Sequence, residues 1–206
     1  MENTKENILQ AALYLFAANG YEAVSVSMIA AELGITKGAL YRHYQNKRDI
    51  FNSILTRMEE RDAANAAAYE MPVESAALNK GAYQTASLDW LLKYSKAQFR
   101  YWVQDEFASS FRKMLTLEQY RSEEMKKLYQ QYLAGGPLGY VTDLLKGSGV
   151  RDAQKCAAEF YGVMFLFYSI YDGAENKNRV LFLLDTYLDA LRAKWVKAPR
   201  GKGEQE

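Results

Sequence analysis

Residues 24 to 47, VSVSMIAAELGITKGALYRHYQNK, decide the fold of this 206-residue chain. Two serines stand at the start of a short apolar-periodic segment, about residues 27–33, and Gly34 follows it. Thr36 then opens a second short segment, from Lys37 to about His43. Because Ser and Thr are favoured before a helix and Gly just after one, this spacing predicts two short helices joined by a tight turn. That layout is a helix-turn-helix.

A longer helical pattern stands on each side of this pair. Upstream, residues 3–18 place apolar side chains at three- and four-residue steps, which predicts an amphipathic supporting helix. Downstream, Asn46 is a candidate cap for a helix from Lys47 to about Ala68. The second short helix is therefore braced on both sides and can offer its outer face to a partner.

The second short helix carries the candidate DNA-reading residues. A helix that enters a major groove needs small and polar side chains on its outer face; here they are Thr36, Lys37, Gly38 and Tyr41. Hydroxyl and basic groups beside it are suited to phosphates, and the candidates are Ser25, Ser27, Tyr41, His43, Tyr44 and Lys47. Alternatives stay open: the serines can be helix caps, Tyr44 can be core, and Gly38 can mark a close helix–helix contact.

The formal net charge of +1 lends no support to nucleic-acid binding. The placement of charge is more informative, because residues 36 to 48 hold four Lys or Arg, the only histidine and no acid. Such a cluster gains meaning only from its structural context, which the helix-turn-helix provides.

The run IAAELGITKGALYRHYQNK at 29–47 resembles the signature of the tetracycline-repressor (TetR) family, as does the approach from Ile8 to Tyr21. The resemblance covers about residues 5 to 55. It implies an all-α protein of about nine helices and a homodimer formed by the last two helices. It also implies a palindromic DNA operator and, usually, repression relieved by a small ligand. An adaptor or activator that uses the same scaffold without a small effector remains the alternative.

The resemblance and the helical patterns together predict three parts. Residues 1–46 form the DNA-binding domain, residues 47–198 form a helical ligand-binding and dimerisation domain, and residues 199–206 form a disordered tail. Residues 70–86 are expected to be mostly loop, and one aromatic-rich helical stretch is expected from Ser87 to Leu115. The stretch Gly135-Gly136-Pro137 is expected to end a helix.

Aromatic residues make up 14% of the chain, and many of them fall between positions 90 and 171. We expect some to line a pocket for a flat or lipophilic molecule, although an aromatic stripe also suits an ordinary core. The pocket candidates are Trp90, Tyr94, Trp102, Phe107, Phe111, Tyr129, Tyr161, Phe165 and Tyr168. The last two helices are apolar enough to predict a four-helix dimer interface, with core packing alone as the alternative. The interface candidates are Phe160, Met164, Phe167, Leu184, Tyr187, Leu188 and Leu191.

Other function classes find little support. Catalysis, a metal site and a cofactor are not expected, because the single histidine, His43, lies beside the recognition helix and Cys156 is the only cysteine. Its thiol is expected to be buried and inert. No apolar run is long enough for a membrane span. Because paired cysteines are absent, which fits a reducing compartment, we expect a cytoplasmic protein.

Overall fold

The computed structural model describes residues 4–68 and 88–197, which form ten helices and, within those ranges, no strand. The helices are α1 (Thr4–Asn19), α2 (Val26–Glu32), α3 (Lys37–Tyr41), α4 (Lys47–Ala68), α5 (Leu88–Gln104), α6 (Glu106–Glu118), α7 (Glu123–Leu133), α8 (Gly135–Gly147), α9 (Ala153–Gly173) and α10 (Lys177–Lys197). The all-α prediction is confirmed. The expected loop at 70–86 and the expected tail at 199–206 lie outside the described residues.

The chain divides into two compact units. Of the described residues, the first holds 4–68 and 104–129, and the second holds 88–103 and 130–197. The division at residue 46 that we expected from the sequence stays a prediction, because these units follow packing within the chain and not function.

The first unit is built around α1. This helix packs against α2, α4 and α6 and buries Ile8, Leu13 and Phe16 completely or nearly so. Across from them, the two short helices bury Ile29 and Leu40, and α4 adds fully buried apolar residues, which are Ile50, Phe51, Ile54 and Met58. The apolar stripes predicted in the N-terminal sequence therefore form one core, and this core fixes the outer face of α3.

Local signals set the ends of the two short helices as the sequence predicted. The Ser25 hydroxyl accepts the N–H of Met28 and so caps α2, whereas Ser27 lies inside its first turn. After α2, Gly34 has a φ of +65°. The N–H groups of Gly34 and Ile35 donate to the carbonyls of Ala31 and Ala30, each at 3.0 Å. These two bonds form a Schellman motif, the common end of a helix that terminates in a left-handed glycine.

Two of the predicted helix boundaries were wrong or incomplete. The stretch expected to be one helix from Ser87 to Leu115 is two, because the Asp105 carboxylate caps a new helix by accepting the N–H of Ala108 at 2.9 Å. The same carboxylate accepts a bond from the Arg61 guanidinium at 2.9 Å, and a partner so distant in sequence leaves no local pattern. The helix before Gly135 does end, at Leu133, but the stretch 135–137 also begins the next helix. Pro137 lies in the first turn of α8, where its missing N–H costs no internal bond.

The second unit contains α5, α8, α9 and α10, with α9 packed against both α8 and α10. Three ion pairs also join α5 to α10. They are Asp89–Arg192, Lys96–Asp189 and Arg100–Asp185. Because the residue numbers rise along α5 while they fall along α10, the two helices run antiparallel at this seam.

Candidate nucleic-acid interface

The recognition helix α3 has one buried and one exposed side. Leu40 is fully buried, whereas Lys37 and Gly38 are exposed and 47% of Tyr41 is accessible. Thr36 begins the helix, since its hydroxyl accepts the N–H of Ala39 at 3.1 Å. The four groove-facing candidates therefore share the side of α3 that the core leaves open, as a groove-reading helix requires.

Gly38 has open space beside its Cα. A Cβ built at this position meets nothing nearer than the Thr36 hydroxyl, at 4.0 Å. The alternative of a close helix–helix contact at Gly38 thus finds no neighbour among the described residues. A glycine in a helix costs about 1 kcal/mol relative to alanine, so its presence here is better explained by an external partner that approaches α3 closely.

The candidate phosphate groups surround α3. Ser25, Ser27 and His43 are exposed, and so is Arg42, which follows the last residue of α3. Arg42 belongs to the basic cluster but was not among the predicted phosphate contacts. It follows Gly38 by one helical turn, and this spacing could have indicated that the two residues share a side of the helix. Lys37 and Arg42 have no ion-pair partner within the described ranges, so their charges are available to an anion.

The assignment of Tyr44 to the DNA surface was wrong, and the alternative of core packing is correct. Only 2% of this residue is exposed, and its hydroxyl donates to the backbone carbonyl of Lys5 at 3.1 Å. Burial, reinforced by the nearby Glu6 and Asp49 carboxylates, raises the pKa of Tyr44 to about 12. A side chain held in this way joins α1 to the end of α3 and does not reach a phosphate.

Lys47 and Arg48 both make contacts inside the first unit. The Lys47 ammonium donates to the Tyr21 carbonyl at 2.8 Å and lies 4.2 Å from the centre of the Tyr21 ring. A phosphate contact from Lys47 stays a prediction, with much of its hydrogen-bonding capacity already used. The Arg48 guanidinium forms a bidentate pair with Glu124, which raises the pKa of Arg48 and lowers that of Glu124. Free positive charge at α3 therefore comes chiefly from Lys37 and Arg42.

The nine pocket candidates are distributed over both units. In the first unit Phe111 and Tyr129 are buried, and Phe107 lines a cleft of about 740 Å³ beside Arg61. In the second unit Trp90 stacks on Tyr94, with ring centres 5.2 Å apart. Trp102, Tyr161 and Tyr168 are buried there, while Phe165 is largely exposed. A single pocket lined by all nine stays a prediction.

Most of the interface candidates are buried and so are not available to a second copy of the chain. Phe160, Met164, Phe167, Leu184 and Leu188 are buried within the chain, on two helices that pack against each other. Leu191 is half-buried, and of the seven only Tyr187 is exposed. The large apolar side chains that these two helices leave exposed are instead Phe165, Leu166, Ile170, Phe182, Leu183 and Tyr187. Apolar residues occur nearly all round each of these helices, so the sequence pattern does not tell which residues face the core and which face solvent.

Neither metal chemistry nor a membrane span is indicated by the parts of the chain that the structure describes. Within residues 4–68 and 88–197, no group of three or more His, Cys, Asp or Glu side chains is placed to hold a metal ion. None of the helices in those ranges combines the length and apolarity needed to cross a bilayer.

Comparison with known proteins finds a family match for the N-terminal part of the chain. Residues 8–54 match the model for "Bacterial regulatory proteins, tetR family". Over 53 residues the chain is 40% identical to the HTH-type transcriptional regulator AcrR of Shigella flexneri, a match that covers 26% of this chain and 25% of that protein. The curated relative is thus matched over about a quarter of its length.

The likeness in fold extends over nearly the whole chain. A TetR-like transcriptional regulator from Rhodococcus sp. RHA1 superposes with a TM-score of 0.65 at 17% identity, covering 91% of this chain and 94% of that one. SmeT, solved as a complex with triclosan, gives 0.65 at 18% identity, covering 99% and 97%. The residues that the structure describes therefore combine a helix-turn-helix with an all-helical fold. Residues 8–54 match the DNA-binding domain of the TetR family, and the chain has a TetR-like fold.

Proposed function

We propose that the protein is a sequence-specific DNA-binding repressor that acts as a homodimer in the cytoplasm. A small aromatic or lipophilic molecule releases it from a palindromic operator. The observation that carries the proposal is the open face of α3, where Lys37, Gly38 and Tyr41 stand outside a core closed by Leu40. Short, polar and unobstructed, this face suits a major groove.

The dimer is supported by the large apolar side chains that α9 and α10 leave exposed. Phe182 is 69% exposed, and Leu166, Ile170, Leu183 and Tyr187 lie on the same pair of helices. Several large apolar side chains exposed together are typical of a protein–protein contact. A two-fold contact through these side chains gives the dimer two copies of α3, and a two-fold protein reads a palindromic site.

The effector class rests on the aromatic content of the second unit and on one relative in fold. Trp90 and Tyr94 stack there, and the Tyr161 hydroxyl donates to the Leu133 carbonyl at 2.8 Å. SmeT, which shares the fold, was solved with triclosan, an aromatic compound. Aromatic walls with few polar groups favour ligands of that kind. If ligand and operator prefer different states of the dimer, each weakens the binding of the other by linkage.

The proposal is tested by DNA binding of the full-length protein to a labelled duplex that carries the region upstream of its own gene. We expect specific binding that Tyr41→Ala weakens. Tyr14→Ala is the matched control, because Tyr14 is an exposed tyrosine of α1 away from the recognition helix. Lys37→Ala should also flatten the dependence of log K on log salt by about one unit if Lys37 neutralises a phosphate.

A result against the proposal is equally clear. If Tyr41→Ala and Tyr14→Ala bind the duplex as tightly as the parent, the assigned recognition surface is wrong. If the parent itself shows no preference for this duplex over an unrelated one, the proposed operator is wrong.

A further inference from the structure

The turn between α1 and α2 has an unusual feature in its backbone hydrogen bonding. The N–H of Gly20 donates to the Phe16 carbonyl at 2.9 Å, and Gly20 has a φ of +84°. This single bond is the αL type of helix ending, which leaves the next amide without a partner in the helix. That amide belongs to Tyr21.

The two other left-handed glycines among the described residues close their turns locally. After Gly34, the N–H of Ile35 donates to the Ala30 carbonyl at 3.0 Å. After Gly149, the N–H of Val150 donates to the Leu145 carbonyl, also at 3.0 Å. Each of those turns therefore holds its own geometry, whereas the turn at Gly20 depends on a group from elsewhere in the chain.

That group is Glu118, at the end of α6. Its carboxylate accepts the N–H of Tyr21 at 3.0 Å, across 97 positions of sequence. Only 1% of Glu118 is exposed, and a buried carboxylate is costly unless it is paired and hydrogen-bonded. The Arg121 guanidinium, 3.4 Å away, supplies the opposite charge. The fit is close, because a Cβ on Gly20 would lie 2.7 Å from Oε1 of Glu118.

Tyr21 is held from several sides inside the first unit. Its ring lies between Phe16 of α1 and Phe51 of α4, with both pairs of ring centres 5.1 Å apart. Its carbonyl accepts a bond from Lys47 at the start of α4. Its N–H donates to the carboxylate of Glu118, the last residue of α6. Tyr21 thus connects the supporting helix, the helix that follows the recognition helix and a helix outside residues 8–54.

We propose that Glu118 is a positioning residue for DNA binding. By holding the Tyr21 amide, it fixes the turn from which α2 and α3 depart, so the orientation of the recognition helix depends on α6. The inference rests on the proposed function and deepens it. The Arg48–Glu124 pair, just beyond α6, holds the start of α4 in the same unit.

The test compares Glu118→Ala, Glu118→Gln and Glu123→Ala in the full-length protein. Glutamine keeps an oxygen that accepts the Tyr21 N–H but loses the charge facing Arg121. Glu123 is an exposed glutamate on α7 and serves as the control. Hydrogen exchange is measured at the Tyr21 amide and across residues 25–43, and binding is measured on the upstream duplex and on an unrelated duplex.

We expect Glu118→Ala to accelerate exchange at Tyr21 and across residues 25–43. We also expect it to weaken specific binding about tenfold, because each of the two chains in the dimer loses the hydrogen bond between the Tyr21 amide and the charged Glu118 carboxylate. Binding to the unrelated duplex should change much less. Glu118→Gln should restore most of the exchange protection and affinity, and Glu123→Ala should match the parent.

Several results overturn the inference. One is unchanged exchange at Tyr21 in Glu118→Ala. Another is an equal loss of specific and unrelated DNA binding, which indicates a general loss of structure. A glutamine variant as defective as the alanine variant also contradicts it. If the parent lacks sequence preference, the proposed function fails, while the exchange measurements on the free protein still decide whether Glu118 holds the turn.

Discussion

Replacing Gly38 by alanine should have opposite effects on stability and on DNA binding. The new Cβ meets nothing nearer than 4.0 Å in the free protein, so the change adds helix propensity without a clash. Alanine in a helix interior is favoured over glycine by about 1 kcal/mol. For a chain of this size, a gain of that order raises Tm by about 2–4 °C. Because α3 is short, we expect a rise in Tm near the lower end of that range.

The same methyl group should weaken operator binding, because a backbone that lies against DNA leaves no room for it. We expect a loss of about tenfold, which corresponds to about 1.4 kcal/mol. Thermal unfolding gives the first quantity, and titration of the upstream duplex at fixed salt gives the second. If the variant binds the duplex as tightly as the parent, Gly38 does not lie close to DNA. If its Tm is lower than that of the parent, the space beside the Gly38 Cα is not open in the free protein.

Two other glycines provide controls for this experiment. Gly139 lies inside α8 in the second unit with nothing within 4 Å of a built Cβ, so Gly139→Ala should stabilise the protein without changing DNA affinity. Gly34 has equally open space but a φ of +65°. Gly34→Ala should therefore destabilise the protein by about 1 kcal/mol through backbone strain alone.

The remaining predictions concern the dimer and two ionisable groups with raised pKa values. Tyr187→Asp should shift the protein from dimer to monomer in light scattering, whereas Leu184→Ala, in the core, should lower Tm; a persistent dimer in Tyr187→Asp would exclude this face. Tyr44→Phe should lower the free energy of unfolding by about 1 kcal/mol at pH 7 by removing the bond to the Lys5 carbonyl. Because an unfolded tyrosine ionises near pH 10 and Tyr44 only at about 12, the parent loses stability as the pH rises through that window. The loss should shrink in the variant, and identical alkaline unfolding curves would contradict this. Burial, helped by Glu59, raises the pKa of Asp62 from 3.8 to about 7, so the unfolded chain releases this proton first and stability falls as the pH rises between these values. Asp62→Asn should remove that fall in stability. The Tm of the variant minus that of the parent should therefore be larger at pH 8 than at pH 4. The same Tm difference at both pH values would contradict this prediction.

The N-terminal architecture was predictable because its determinants are local. Thr36, Gly34 and Asn46 each act within a few residues of their own position, and the structure shows the cap bonds at Thr36 and Asn46 that the sequence implies. The side of α3 also follows from its short apolar pattern. Tyr44 was misassigned because the chain leaves the helix after Tyr41. Beyond that point, helical spacing no longer tells which way a side chain faces.

The features that the sequence did not reveal depend on partners far along the chain. Asp105 divides α5 from α6 with Arg61 as its ion-pair partner, and Glu118 reaches a turn 97 positions away. Neither pairing leaves a local pattern. The exposed apolar residues of α9 and α10 were missed for a different reason. Apolar residues surround both helices, so only the burial of residues such as Leu184 and Leu188 shows which apolar positions remain exposed.

Selection of DNA from a random library by the full-length protein tests the central claim most directly. The bound fragments are recovered and sequenced after several rounds, with a Tyr41→Ala, Lys37→Ala double variant run in parallel. We expect the parent to enrich a palindrome whose half-sites are separated by about one helical turn, or a multiple of it, as two copies of α3 require. The double variant should enrich it far less. A parent library that stays random, or one enriched equally by the variant, would contradict the assignment of α3 as the DNA-reading helix.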